Sequence, residues 1–185
     1  MTVIGLDLSG SPIRKTGFAI ISGRNIELGT LKTDDEIIGL CLKRNPEIVA
    51  IDAPLSMPKS GCLRSSDREM IRRGLRVFPP TFSGMISLTR RGISISSSLG
   101  SAGIKVIEVH PRSSGILLFR SCKREDWIRG MRKMGFYPKP AKTEHEIDAC
   151  LAAITGYLHL RGRTKTVGCH EEGEMVIPSA PLQER

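Results

Sequence analysis

Two apolar runs in the first third of this chain each end on an aspartate, and few folds put a carboxylate in that place twice. Val3, Ile4 and Leu6 lead into Asp7, after which Ser9, Gly10, Ser11 and Pro12 read as a turn. Ile48 to Ile51 is a continuous apolar run of the kind that a strand covered on both faces shows, and it delivers Asp52 just before Pro54 stops it. A carboxylate leaving a buried strand is costly unless it is paired, hydrogen-bonded or bound to a cation.

The residues between the two runs relate them in space. Gly17 to Ser22 and Ile26 to Leu31 read as two more strands, with Gly23, Arg24 and Asn25 as a tight connection, so strands one to three are expected to be antiparallel. Thr33, Asp34 and Asp35 supply helix-start chemistry. Ile37, Ile38, Leu40, Cys41 and Leu42 give that helix an apolar face, and it ends near Asn45 and Pro46. A helical crossover then sets the fourth strand parallel to the first and beside it. Asp7 and Asp52 are therefore expected to leave adjacent strands at one edge.

Farther on, residues 54 to 83 read as a basic loop broken by Pro54, Pro58, Pro79 and Pro80, with a helical island over 66 to 73. Residues 84 to 99 carry a weak helical pattern diluted by serines. VIEVHP, 106 to 111, is strand-like and holds Glu108 and His110, and 123 to 134 reads as a basic helix. The strongest helix covers 144 to 160. There Ile147, Leu151, Ile154 and Leu158 recur at helical spacing, while Ala149, Ala152, Ala153 and Gly156 form a small face able to lie close to a sheet. Asp148 sits one turn in and would be carried to the sheet edge. EMVIP, 174 to 178, reads as a last strand and 179 to 185 as a frayed tail of a single domain spanning 1–185.

Charge narrows the partners. The formal net charge is +9 and the pI near 9.7, and residues 59 to 142 hold 18 of the 28 Lys and Arg but five of the 19 acids. That middle stretch suits a polyanion, and few aromatics argue against a base-stacking platform, so a nucleic-acid partner would be held through phosphate. Lys59 with Arg64, Arg68, Arg72 and Arg76, the arginines spaced every fourth residue, would form such a ridge if helical; a solvated charged face is the plainer reading. Five widely spaced cysteines without a Cys-x-x-Cys pair, no signal-like start and no run long enough to span a membrane indicate a reduced, cytoplasmic protein. Nucleotide P-loop motifs and zinc-ligand spacing are both absent.

Three acids at the ends of core elements fit a hard cation, so Mg²⁺ or Mn²⁺ is expected, with Asp7, Asp52 and Asp148 as ligands and Glu108 as a secondary candidate. His110 and His145 are candidates for proton transfer. Each acid also has a plainer role: Asp7 capping its turn, Asp52 ordering the turn at Pro54, Asp148 serving the helix dipole. Glu144 and Glu146 compete with Asp148 as the acid that faces inward.

The order IGLDLSGS, AIDAPLS, SDREMIRRG, VFPP, VIEVHP, HEIDACLAA and GEMVIP resembles the ribonuclease H-like superfamily, and within it the predicted nucleases called domain of unknown function 429. The resemblance implies an α/β ribonuclease H-like fold, with a five-stranded mixed sheet of three antiparallel strands and then two parallel ones, flanked by helices. It also implies metal-binding acids on the first strand, near the end of the fourth and on the last helix, which fall on Asp7, Asp52 and Asp148; resolvase-like members often carry Glu at the central position. The expected activity is hydrolysis of phosphodiester bonds in a nucleic acid whose type, like the oligomeric state, is left open. Two rivals stand beside it: a binding module of the same fold without turnover, and an actin or sugar-kinase-type phosphotransferase, suggested by Thr16 and Gly17 but normally needing two such domains.

Overall fold

The computed structural model describes residues 1–23, 25–138, 140, 141 and 143–179; Arg24 of the expected tight connection and the tail beyond residue 179 lie outside them. The chain opens with the expected meander, in which β1 (Thr2–Asp7), β2 (Thr16–Ser22) and β3 (Asn25–Leu31) are antiparallel neighbours. α1 (Asp34–Arg44) begins at a capping box, Thr33 accepting from the backbone of Glu36 while the Glu36 carboxylate reaches back. Asn45 ends it in the left-handed conformation. β4 (Ile48–Asp52) returns parallel to β1 and beside it.

α2 (Ser65–Arg72) and α3 (Ser83–Ser101) precede β5 (Val106–Glu108), which pairs parallel to the outer side of β4. α4 (Pro111–Phe119), α5 (Arg124–Lys133), β6 (Tyr137–Pro138) and α6 (Glu144–Leu160) follow, and β7 (Thr164–Cys169) and β8 (Gly173–Pro178) form an antiparallel hairpin.

The main sheet has six strands in the order β5-β4-β1-β2-β3-β6, one more than the sequence reading expects. The extra strand is β6, two residues that pair parallel with β3 and are too short to leave a periodic signature. EMVIP is strand as expected but pairs with β7, meeting the main sheet through a single bridge between Val109 and Val176. VIEVHP keeps strand geometry only to Glu108, because Pro111 at the first helical position starts α4.

Alternation along the central strands divides the core into two layers. Val3, Ala19, Ile21 and Ala50 face α6, α4 and α5, whereas Ile4, Leu6, Ile20, Val49 and Ile51 face Ile37 of α1 with Ile95 and Leu99 of α3. α6 lies directly on the sheet. A Cβ at Gly5 would stand 2.2 Å from the carbonyl oxygen of Ala149, and one at Gly17 would stand 2.2 Å from that of His145. Glycine on β1 and β2 and alanine on α6 thus bring backbone against backbone, which carries the first turns of α6 over the ends of the strands. No helix is long and apolar enough to cross a membrane among the described residues.

Candidate metal centre

Asp7 and Asp52 are the last residues of β1 and β4 and are partners in the parallel register. In-register residues on neighbouring parallel strands turn their side chains to the same face, so the two carboxyls meet. Burial, opposed by the hydrogen bond from His145 and reinforced by repulsion from Asp148, pushes Asp7 up to about 6. Asp52 lies deeper among protein atoms although part of it reaches a pocket; burial raises it well above the usual carboxylate range, and repulsion from Asp7, Asp148 and Glu108 raises it further. Without a cation the pair retains a proton that isolated carboxylates would release.

α6 supplies the other side. Its capping box runs from Thr143 to Glu146, the Glu146 carboxylate accepting from the Thr143 amide at 2.8 Å. Glu146 is thereby spent on the helix start, and Glu144 is exposed and 3.2 Å from Arg124. Asp148 is the acid whose charge is felt by both Asp7 and Asp52. His145, three residues earlier and so on the same helix face, places Nδ1 2.5 Å from Oδ2 of Asp7. The imidazole is just over half exposed, 56 %, while the Asp7 side chain is only 15 % exposed, so one partner meets solvent and the other faces the core.

The donor set suits a hard divalent ion, since it is all oxygen and its carboxyls raise one another's affinity for positive charge. It is not assembled around an ion: among the described residues no three His, Cys, Asp or Glu side chains stand in ligating geometry. Both oxygens of Asp148 are held by Arg124, whose Nε and Nη2 donate to them at 2.9 and 2.6 Å. A guanidinium carries the charge that a metal would otherwise bring. Sequence reasoning takes 123–134 only as a basic helix; nothing in the pattern of α5 singles out its first residue.

Two further expectations are corrected. Arg64 does not lie on an exposed ridge; it is fully buried, forked between Asp67 and Glu108 with four contacts of 2.7 to 3.1 Å and donating to Ser56 at 3.2 Å. Glu108 lines the carboxylate pocket, but Arg64 donates to both its oxygens and the Leu55 amide to one of them, at 2.7 Å each. It braces the chain just after Asp52 rather than offering itself as a ligand. His110 lines the pocket too, its Nδ1 2.7 Å from the Ser113 hydroxyl. Burial, aided by Arg112, pulls it down to about 4, which makes it a neutral hydrogen-bonding group near pH 7.

The remaining basic candidates are exposed. Lys59 pairs with Glu171 at 2.7 Å, Arg68 with Glu172 at 2.8 Å, and Arg72 closes α2. Arg76 follows the left-handed Gly74, outside the helix, so the four arginines do not share one stripe. The carboxylates open into a pocket of about 170 Å³ whose apolar wall includes Val77, Met85 and the exposed Phe78. A larger cavity of about 450 Å³, beside Lys105, His159 and His170, touches this site only through the back of Glu108.

No family model and no curated protein matches the chain, so the resemblance to domain of unknown function 429 rests on motif order alone. Solved structures do match in fold. A Thermus thermophilus RuvC in complex with a Holliday junction substrate superimposes with a TM-score of 0.57 at 14 % identity, covering 88 % of this chain and 96 % of the other. A second Thermus thermophilus RuvC structure gives 0.53 at 15 %, over 88 % and 97 %. The fold is shared with these RuvC structures, and the mixed sheet with flanking helices is the one expected from the sequence.

Proposed function

We propose that this protein is a divalent-metal-dependent nuclease, hydrolysing phosphodiester bonds at the ends of β1, β4 and α6. The observation that carries the reading is the register pair Asp7 and Asp52, approached from α6 by His145 and Asp148. Asp7, Asp52 and Asp148 would hold Mg²⁺ or Mn²⁺, which when bound supplies an activated water and neutralises charge on the phosphate. Asp7 fixes the orientation of His145 through Nδ1, leaving Nε2 as the nitrogen for proton exchange with water or the leaving oxygen. Arg68, Arg72 and Arg76, all exposed, and the basic surface of residues 59 to 142 would meet the anionic backbone. A nucleic-acid substrate also agrees with the junction-bound RuvC of the same fold.

The test is cleavage of labelled single strands, duplexes, hybrids and four-way junctions by purified protein in Mg²⁺, Mn²⁺ or EDTA. Divalent-dependent products that vanish in Asp7→Asn support the nuclease; products that persist in that variant reject the assignment. The grip of Arg124 on Asp148 favours one second reading, a binding module without turnover. It predicts salt-sensitive binding with every substrate intact. Stabilisation by ATP in a thermal shift would instead revive the phosphotransferase.

A further inference from the structure

Arg64, Arg91 and Arg124 each pair with an acid, and they differ in how firmly they are held. Arg64 has a side chain 1 % exposed and sits between two carboxylates exposed no more than 2 %. Arg91, 4 % exposed, reaches Asp34 and also donates to the carbonyls of Ser9, Ser11 and Lys32, tying down the loop that follows Asp7. Moving Arg64 would strand buried charge, and moving Arg91 would undo the carbonyl contacts that hold that loop. Arg124 is different: its side chain is 33 % exposed, and its only charged partners described are Asp148 and Glu144. It stands at the first position of α5, where it can swing into solvent without unmaking the helix.

We propose that Arg124 is a displaceable counter-ion, a guanidinium that occupies Asp148 until a divalent cation takes its place. This rests on the metal reading above and adds a residue that tunes it. The fork occupies both oxygens of Asp148, at 2.9 and 2.6 Å, so a cation approaching that carboxylate competes with Arg124 for it. Its charge is felt by Asp7 as well, so the whole acidic site is partly compensated while the guanidinium is in place. The consequence is a raised threshold: the cation binds only where its concentration overcomes an internal competitor.

The structure also contains a reporter. The guanidinium carbon of Arg124 lies 5.7 Å from the ring centroid of Trp127. Trp127 is the single tryptophan of the chain, is 2 % exposed, and is anchored by Nε1 donating to the Ser121 carbonyl at 2.8 Å. The ring stays while the guanidinium leaves, and loss of a cation over an indole face alters its emission.

The experiment is a Mg²⁺ titration of the full chain, followed in parallel by calorimetry and by Trp127 fluorescence, for wild type, Arg124→Gln, Arg124→Lys and Asp148→Asn. Expected are a saturable emission change in wild type with the calorimetric midpoint, and binding about three- to tenfold tighter in Arg124→Gln, as suits a partly exposed forked ion pair. Arg124→Gln should show no matching emission change, Arg124→Lys should fall between, and Asp148→Asn should bind weakly. Mg²⁺ binding of equal strength in wild type and both Arg124 variants, with silent Trp127, overturns the counter-ion role while leaving the metal site standing. No Mg²⁺ binding by any of the four proteins overturns the metal site and the counter-ion role together.

Discussion

Asp7 and Asp52 end neighbouring parallel strands in the same register, which places two carboxyls one strand spacing apart at the edge of a dry core. Backbone pairing fixes that separation, so the repulsion cannot relax by sliding one strand. A proton or a cation lowers it, and burial first, with repulsion from neighbouring acids second, raises the affinity of both groups for a proton.

Removing one member of the pair should therefore stabilise the metal-free protein. Asp52→Asn keeps the shape and removes the cost of protonating or burying an acid at this place, and a gain of about 1–2 kcal/mol is expected in EDTA near pH 7, a rise in Tm of several degrees for a chain of this size. The same variant should lose the stabilisation that Mg²⁺ gives wild type. Thermal unfolding with and without the ion reads both effects.

The two raised aspartates and the depressed His110 act on stability in the same window with opposite signs. Asp7 takes up its proton at about 6 in the fold against 3.8 for an ordinary aspartate, so its contribution favours the native state below about pH 4 and is lost as pH rises through 6. His110 is held at about 4 against 6.5, so its contribution is full above pH 6.5 and is lost as pH falls toward 4. The two slopes offset each other in wild type. Relative to wild type, Asp7→Asn should lose about 2–3 kcal/mol of stability on acidification from 6.5 to 4, and His110→Gln should gain over the same range. Urea midpoints at half-unit pH intervals in EDTA would separate them; parallel profiles for all three proteins would refute both assignments.

The sequence disclosed the parts of this architecture that burial dictates. Apolar runs marked β1 and β4, helix-start residues and spacing marked α1 and α6, and chain order alone set β4 parallel to β1. The small face of α6 announced a close approach, met by Gly5 and Gly17 on the sheet. What stayed hidden depends on partners far apart in the chain. Arg64 carries the spacing of an exposed stripe yet is buried, because Glu108, 44 positions on, joins the neighbouring Asp67 in enclosing it. β6 is two residues long, and Arg124 looks like any basic residue on a basic helix until Asp148, 24 positions on, is placed beside it.

Arg64 should behave as a structural residue, against its place in the expected phosphate ridge. Arg64→Gln leaves Glu108 and Asp67 buried without their shared cation, and breaking such a pair from one side costs about 3–5 kcal/mol. Arg72→Gln, on the exposed end of α2, should change stability by less than about 0.5 kcal/mol and weaken oligonucleotide binding in a salt-dependent way. Chemical denaturation and binding at two salt concentrations distinguish the two roles, and a stable Arg64→Gln protein with weakened binding would reverse them.

Gly5 is where the fold and the site meet, and its replacement should damage both. An alanine Cβ would fall 2.2 Å from the Ala149 carbonyl oxygen and 2.3 Å from the Ala153 nitrogen, both backbone atoms that no rotamer change can move. α6 must then withdraw from β1, opening the layer in which Val3, Ala50 and Leu151 pack, at a cost of about 3 kcal/mol or more. The same retreat draws His145 and Asp148 away from Asp7, so Gly5→Ala should lose divalent-dependent cleavage even at temperatures where it remains folded. Gly39 is the counterpart on exposed α1: no atom lies within 4 Å of a Cβ there, and Gly39→Ala should stabilise by up to about 1 kcal/mol through helix propensity alone. Circular dichroism melts of the two variants beside wild type, with cleavage assayed below each midpoint, test the pair. A Gly5→Ala protein with wild-type Tm would show that α6 does not rest on β1 at this distance, and with that contact would go the placement of His145 over Asp7.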